Sequence, residues 1–229
     1  MAHFWFAKPI EDSIHIEWLE RGDTVQYCTN MVKIEPGQNA NDVVYNYLQS
    51  LDSSRIYQTL QAPSEFKCFV DLLIKMNVKS YLEVGSRYGG AFEAVMDSLP
   101  GAKGTVVDLP GDDGKPDESF AELMKTMHRL NDQGRDVRAN IGDSGLPEVV
   151  AAAKSRGPYD CVMIDADHSY EGVKRDFDNY ADMGKIVALH DIVNPTTDVP
   201  KFWNEIKSQY KSAEIVVDGS CMGIGVIFK

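Results

Sequence analysis

From residue 80 to about residue 210, short apolar segments alternate with longer segments that have helical spacing. The apolar segments, such as SYLEV and YDCVMI, are typical of buried strands, and each is followed by apolar residues three and four apart. Strands that alternate with helices form a parallel sheet covered on both faces. The sequence therefore predicts an α/β fold, a doubly wound Rossmann-like sheet of about seven strands. The last two strands, AEIVVDG and GIGVIFK, have no helix between them, which predicts an antiparallel strand at the C-terminal edge.

Residues 1–60 lack this alternation and carry turn signals such as EPGQNAND. We interpret them as an N-terminal extension, helical or irregular, that would serve as a substrate lid or a dimer contact. NANDVVYNYLQSL has the spacing of a helix within it. The main domain, residues 61–229, would then open with the helix PSEFKCFVDLLIKMN, which has proline in its first turn and one apolar face.

The charge and cysteine content restrict the function and the compartment. A net charge of −12 with no cluster of lysine and arginine argues against a nucleic-acid partner. The four cysteines form no CxxC pair, which argues against a zinc site or a disulfide framework and suits a reducing compartment. The first residues have no basic region and no segment is apolar enough to span a bilayer. We expect a cytoplasmic protein without a membrane partner, and a homo-oligomer is compatible with the apolar HFWFA segment.

The first strand of the alternating region ends in a glycine-rich turn, LEVGSRYGG. Glu83 precedes Gly85, Ser86 and Gly89, and glycines at such a turn let the backbone approach a ligand closely. The turn does not read GxGxxG, which argues against a pyrophosphate loop. An acidic residue just before the turn suits a ligand with a positive charge or an amine.

The next two strands also end in acidic residues. Asp108 follows the second strand, where a carboxylate usually binds ribose hydroxyls. Asp143 and Ser144 follow the third, where they could hold an adenine amino group, although either could instead cap the next helix. Three acidic strand ends in sequence order favour a nucleoside-type ligand.

The fourth strand ends in Asp165, Asp167 and His168, and the fifth ends in His190 and Asp191. Neighbouring parallel strands lie about 4.8 Å apart, so these side chains can converge on one ion or one substrate hydroxyl. Carboxylates with an imidazole suit Mg²⁺ or Mn²⁺, and a histidine can remove a proton near neutral pH.

Structural roles remain open for three of these residues. Asp167 or Ser169 can cap the helix that begins at Tyr170, the role we favour for Asp167. His190 can be a buried histidine beneath the C-terminal strands, and Asp191 can accept backbone hydrogen bonds in the following loop.

Taken together, YLEVGSRYGGAFEAV, GTVVDLPG, IGDS and DADHSYEGVKRDF with ADMGKIVALHDI resemble class I S-adenosylmethionine-dependent methyltransferases. Within that class they resemble the small-molecule O-methyltransferases of the caffeoyl-CoA, macrocin and mycinamicin type. The resemblance implies that Glu83 and Gly85 contact the methionine part of the cofactor, Asp108 the ribose, and Asp143 with Ser144 the adenine. It also assigns the following residues to the cofactor site: Ser86, Gly89 and Asp165.

The resemblance extends to catalysis. In metal-dependent relatives the first Asp of an Asp-x-x-His stretch ligates the metal and the histidine is the base, which here are Asp165 and His168. The relatives' second ligand pair falls on His190 and Asp191, so a histidine replaces a carboxylate. The implied metal ligands are Asp165, His190 and Asp191, for Mg²⁺ or Mn²⁺, and His190 can instead be a base or a substrate contact.

The expected activity is methyl transfer from S-adenosylmethionine to a hydroxyl of a small molecule, such as a sugar, another secondary metabolite or a catechol. Three alternatives remain. One is an NAD(P)-dependent oxidoreductase, against which the absence of GxGxxG and of a Tyr-x-x-x-Lys pair argues. The others are a non-catalytic nucleotide-binding or assembly module, and hydroxylase-type chemistry on the same fold.

Overall fold

The computed structural model describes residues 25–26, 59–111 and 114–229. The strands are β1 (Val25–Gln26), β2 (Ser80–Val84), β3 (Lys103–Asp108), β4 (Val137–Ile141), β5 (Tyr159–Ile164), β6 (Gly184–His190), β7 (Lys211–Ile215) and β8 (Ile224–Phe228). The helices are α1 (Pro63–Lys75), α2 (Gly90–Ser98), α3 (Glu118–Asp132), α4 (Pro147–Lys154), α5 (Tyr170–Tyr180) and α6 (Val199–Ile206). The helix predicted in NANDVVYNYLQSL lies outside the described residues, as does most of the N-terminal extension.

The strands form one sheet in the order β1-β7-β8-β6-β5-β2-β3-β4. All neighbours are parallel except β8, which runs antiparallel to both β6 and β7. This confirms the doubly wound prediction with its antiparallel C-terminal strand. The structure adds that β8 inserts between β6 and β7, and that two residues of the extension continue the sheet beside β7.

Alternate residues of each strand point to opposite faces, so each face of the sheet has its own apolar cluster. Tyr81 and Cys161 belong to the cluster beneath α1, α2 and α3. Leu82 and Val162 belong to the cluster beneath α4, α5 and α6. The second cluster also holds Phe202 and Trp203, so the aromatic residues of α6 are part of the core. No helix in the described ranges is long and apolar enough to cross a membrane.

The chain reverses its direction of travel across the sheet at β2. From β2 it moves outward through β3 to β4, and it then returns to place β5 on the other side of β2. The carboxyl ends of β2 and β5 are therefore neighbours at a switch point, where α/β sheets open a crevice for ligands. The amide of Asp165 donates to the carbonyl of Val84 at 2.7 Å, which places the two strand ends in contact.

Candidate active site

Gly85 allows the ends of β2 and β5 to close on each other. Its φ of +88° lies in the left-handed region, which glycine adopts without steric cost. A Cβ at this position would lie 2.3 Å from the carbonyl oxygen of Asp165. The glycine predicted to admit a ligand is thus also required by the neighbouring strand end.

Glu83 is buried at the end of β2 and has two hydroxyl partners. The Tyr81 and Ser86 hydroxyls each donate to its carboxylate at 2.7 Å. Burial raises the pKa of Glu83 to about 7, although these hydrogen bonds act in the opposite direction. The carboxyl group therefore titrates near neutral pH and can pair with a cationic group at the glycine turn.

Asp108 links the end of β3 to that same turn. Its Oδ2 accepts the backbone N–H of Ser86 at 2.6 Å and that of Arg87. Burial raises the pKa of Asp108, and the backbone hydrogen bonds act against that rise. The carboxylate predicted to bind ribose therefore also fixes the shape of the glycine turn, with Arg87 in a left-handed conformation.

Asp143 and Ser144 follow β4 but do not cap the next helix. Asp143 accepts the N–H of Gly145 at 2.7 Å, and the Ser144 hydroxyl donates to Asp176 at 2.7 Å. The residue before α4 is Leu146, which provides no side-chain cap. The capping alternative is therefore wrong, because these side chains are occupied within the turn and against α5.

Asp165 contacts both imidazoles of the site and one side-chain amide. Its Oδ1 lies 3.2 Å from His168 Nε2 and 3.1 Å from His190 Nδ1. Its Oδ2 accepts a hydrogen bond from the Gln61 side-chain amide at 2.7 Å. Burial raises the pKa of Asp165, but the two imidazoles outweigh burial and lower it to about 2. Asp165 is therefore an ionised carboxylate that contacts two imidazole nitrogens and the Gln61 side-chain amide.

Asp191 closes a ring of alternating carboxylates and imidazoles. Its Oδ2 lies 3.2 Å from His168 Nδ1, and its Oδ1 lies 3.6 Å from His190 Nδ1. Burial lowers the pKa of His190, but Asp165 and Asp191 outweigh it and raise that pKa to about 9. The hydrogen bond to Asp165 raises the pKa of His168 above its ordinary value. The charges that follow β5 and β6 are thus paired with one another.

The cap of α5 is Ser169, not Asp167. The Ser169 hydroxyl accepts the N–H of Gly172 at 3.1 Å, while Asp167 accepts the N–H of Ser169 at 2.9 Å. A Cβ on Gly172 would lie 2.0 Å from the Asp167 carboxyl carbon. The predicted start at Tyr170 is confirmed, but the capping role favoured for Asp167 is wrong because its carboxylate lies over Gly172.

A single cavity of about 710 Å³ joins the predicted cofactor residues to the acidic and imidazole groups. Of the predicted site residues, those that line it are Glu83, Gly85, Ser86, Asp108, Asp143, Ser144, Asp165, His168, His190 and Asp191. Gly89 does not line it. That glycine precedes α2, where a Cβ would lie 2.9 Å from the Leu123 side chain.

Three of these residues could hold a divalent cation. Asp165, His168 and Asp191 each offer a ligand atom, and these atoms lie within 4.8 Å of one another. Two carboxylates and an imidazole fit a cation such as Mn²⁺. The geometry places His168 in this group, where the resemblance had implied His190.

Two residues near the start of α1 contribute to the structure of the site, and sequence patterns did not reveal them. Gln61 lines the cavity and contacts Asp165 directly. Glu65 is fully buried, and its carboxylate accepts the N–H groups of Val217 and Gly223, each at 2.9 Å. Their only sequence signal is a polar residue close to an apolar helix face, which is too common to identify a site.

Glu65 acts on the site through the loop between β7 and β8. In that loop, the carbonyl of Met222 accepts the N–H of Val193 at 2.9 Å. Met222 itself lines the cavity. Glu65 therefore holds the loop that in turn holds the segment just after Asp191.

The resemblance to class I methyltransferases implied a doubly wound sheet with acidic strand ends around its switch-point crevice, and the structure has both features. Residues 82–192 match the family model described as a methyltransferase domain. This segment of the chain therefore matches a methyltransferase domain, in agreement with the class that its motifs resemble.

Solved structures with the same fold include three O-methyltransferases of low sequence identity. A candidate caffeoyl-CoA O-methyltransferase from Staphylococcus aureus is 15% identical, with a TM-score of 0.57 over 84% of this chain and 93% of that one. An O-methyltransferase from Bacillus cereus in complex with S-adenosylhomocysteine is 14% identical, with a TM-score of 0.56 over 85% and 93%. TomG from Streptomyces achromogenes, involved in tomaymycin synthesis and in complex with S-adenosylmethionine, is 16% identical, with a TM-score of 0.54 over 81% and 88%. Among curated proteins, none matches this chain in sequence.

Proposed function

We propose that the protein transfers a methyl group from S-adenosylmethionine to a hydroxyl of a small-molecule acceptor, with His168 as the general base. The observation that carries this proposal is the single cavity that joins three acidic strand ends to the His168–Asp191 pair. The structures from Bacillus cereus and Streptomyces achromogenes, which hold S-adenosylhomocysteine and S-adenosylmethionine on this fold, support the choice of cofactor.

The acidic strand ends fit the cofactor's polar groups. Glu83 would pair with the ammonium of its methionine part, Asp108 with ribose hydroxyls, and Asp143 with Ser144 near the adenine amino group. Because Gly85 has no Cβ, the backbone of Asp165 can lie against the glycine turn beside the cofactor site. When bound, the cofactor supplies a methyl group on a cationic sulfur, which keeps the electron pair of the broken C–S bond.

His168 is placed to move the acceptor's proton. Asp191 holds Nδ1 at 3.2 Å, so Nε2 is the nitrogen that faces Asp165, also at 3.2 Å. An acceptor hydroxyl can replace that long contact and give its proton to Nε2, which leaves its oxygen free to bond the methyl carbon. His190, buried between both carboxylates, keeps Asp165 and Asp191 in place.

A metal-assisted variant of this reaction is favoured by the spacing of three ligand atoms. A divalent cation held by Asp165, His168 and Asp191 would supply a Lewis acid beside the acceptor oxygen. That role would occupy a ring nitrogen of His168 and remove it as a base. Metal binding and base catalysis by His168 are therefore alternatives.

The first test is calorimetric titration with S-adenosylhomocysteine after EDTA treatment, without metal and then with Mg²⁺ or Mn²⁺. We expect micromolar binding without metal, because the cofactor contacts come from carboxylates and backbone. Tighter binding with Mn²⁺ would favour the metal-assisted variant. A protein that binds no S-adenosylhomocysteine under any of these conditions would refute the proposed function.

The affinity for S-adenosylhomocysteine should depend on pH through Glu83. Its raised pKa of about 7 means that the free carboxyl is protonated below that value, whereas pairing with an ammonium needs the ionised form. Affinity should therefore fall by up to about tenfold per pH unit below pH 7 and level off above it. Glu83→Gln should bind weakly with no such slope, and an unchanged affinity from pH 6 to pH 8 in the native protein would exclude this pairing.

We also propose that residues 1–60 cover the acceptor end of the cavity as a lid or a dimer contact. The support is that the chain reaches the cavity where the extension ends, since Thr59 and Leu60 line it. Leu60 is 64% exposed there, an apolar surface that a covering segment would bury. We place the protein in the cytoplasm, in keeping with four widely spaced cysteines that form no CxxC pair.

A further inference from the structure

Gln61 reaches the centre of the site from outside the motifs that define it. It lies two residues before α1 and is only 8% exposed, yet it lines the cavity. Its Nε2 donates to Asp165 Oδ2 at 2.7 Å, across 104 positions of sequence. This contact ties the first described segment of the domain to the end of β5.

The contact also fixes which end of the Gln61 amide faces Asp165. Because Gln61 Nε2 donates to Asp165 Oδ2, the NH₂ group of the amide faces the carboxylate. The amide oxygen then lies on the other branch, where it is buried and has no hydrogen-bond partner among the described residues. A buried amide oxygen without a donor is costly, so the arrangement suits a ligand that brings one.

A second residue that contacts the Asp165 carboxylate also has a buried polar atom without a hydrogen-bond partner. His190 Nε2 is buried without a partner in the part of the chain that is described, and His190 is 5% exposed. His190 and His168 contact Oδ1 of Asp165, while Gln61 contacts Oδ2. The amide of Gln61 and the imidazole of the base therefore lie on the two oxygens of one carboxylate.

We propose that Gln61 is an acceptor-binding residue whose Oε1 accepts a hydrogen bond from a second hydroxyl, next to the one that is methylated. The inference rests on the proposed function, since His168 must receive the proton of the first hydroxyl. The ligand chemistry is a vicinal diol, which an aromatic catechol or a saturated, sugar-like ring can supply. Gln61 would then select diols over single hydroxyls.

Two pairs of probes distinguish these sources, catechol with phenol and cis-cyclohexanediol with cyclohexanol. Each is tested as an acceptor by the formation of S-adenosylhomocysteine. The native protein should favour the diol of at least one pair by about tenfold or more in kcat/KM, because a single hydroxyl leaves Oε1 unpaired. The pair that shows the preference identifies the aromatic or the saturated source.

The variant Gln61→Met keeps the length of the side chain and removes both polar atoms. The diol preference should fall to about twofold or less, while the affinity for S-adenosylhomocysteine changes by less than about twofold. Gln209→Met, the same change at an exposed residue outside the cavity, should alter neither value. Should Gln61→Met not fold, Gln61→Asn withdraws Oε1 by one methylene and should lower the preference in the same way.

Other outcomes would overturn the proposal. A residue that only positioned Asp165 would slow both members of a pair equally, so an unchanged diol preference in Gln61→Met refutes acceptor binding. A matching loss of affinity for S-adenosylhomocysteine would assign Gln61 to the cofactor instead. If the native protein binds S-adenosylhomocysteine but shows no turnover or no diol preference, the diol assignment fails, whereas absent cofactor binding refutes the proposed function itself.

Discussion

His168→Ala should reduce methyl transfer by about a hundredfold to ten-thousandfold, the range that a positioned general base contributes. The side chain is 41% exposed and lines the cavity, with Nδ1 held by Asp191 at 3.2 Å. Its removal takes away the proton acceptor and leaves the acidic ends of β2, β3 and β4 in place. The affinity for S-adenosylhomocysteine should therefore stay within about twofold of the native value. Turnover is measured by formation of S-adenosylhomocysteine and affinity by calorimetry.

A matched control is His128→Ala. His128 is exposed on α3 and does not line the cavity, so neither turnover nor affinity should change. Full activity in His168→Ala would remove His168 from the mechanism. His190 would then become the candidate base, and its pKa of about 9 would move turnover to alkaline pH, because a base must be deprotonated.

Gly85→Ala should destabilise the protein by about 3 kcal/mol or more and abolish binding of S-adenosylhomocysteine. A left-handed conformation costs a residue with a Cβ about 1–2 kcal/mol. The new Cβ would also lie 2.3 Å from the carbonyl oxygen of Asp165, and overpacking of this kind costs about 1–3 kcal/mol. Backbone must move to relieve the contact, which separates the ends of β2 and β5 at the crevice.

Gly101→Ala is the matched control, because it imposes the same backbone strain without a steric contact at the new Cβ. Gly101 has a nearly equal φ of +82°, but a Cβ there meets nothing within 4 Å. Its loss of stability in denaturant unfolding should therefore be limited to about 1–2 kcal/mol, with cofactor binding intact. Equal losses in the two variants would show that the approach of Asp165 to Gly85 does not matter.

Most of the fold could be predicted from the alternation of strands and helices in the sequence. Strands β2, β3, β5 and β6 are mostly buried on both faces, so their sequences are largely apolar and helical segments separate them, whereas the edge strand β4 is only partly buried. Because parallel strands end at the same edge, their terminal residues were predicted to converge, and Asp108, Asp143 and Asp165 do line one cavity. The position of β8 between β6 and β7 was not predictable, since strand spacing does not specify lateral order.

Local capping was predicted less well, because several side chains near each helix start can accept the same N–H groups. Ser169 caps α5 while the adjacent Asp167 lies over Gly172. Asp143 turns back to Gly145 and leaves α4 without a side-chain cap. In each case a tertiary neighbour or a tight turn decided between equivalent oxygens.

The sequence by itself determined the class of fold, the acidic strand ends and the Asp165–His168 pair, because these depend on periodicity and on neighbours along the chain. Only the tertiary structure decided how those groups are paired. Gln61 and Glu65 lie far from their partners in sequence, and no pattern encodes a hydrogen bond across such a distance. The same holds for the closed ring of Asp165, His168, Asp191 and His190, whose contacts exist because β5 and β6 are adjacent in the sheet.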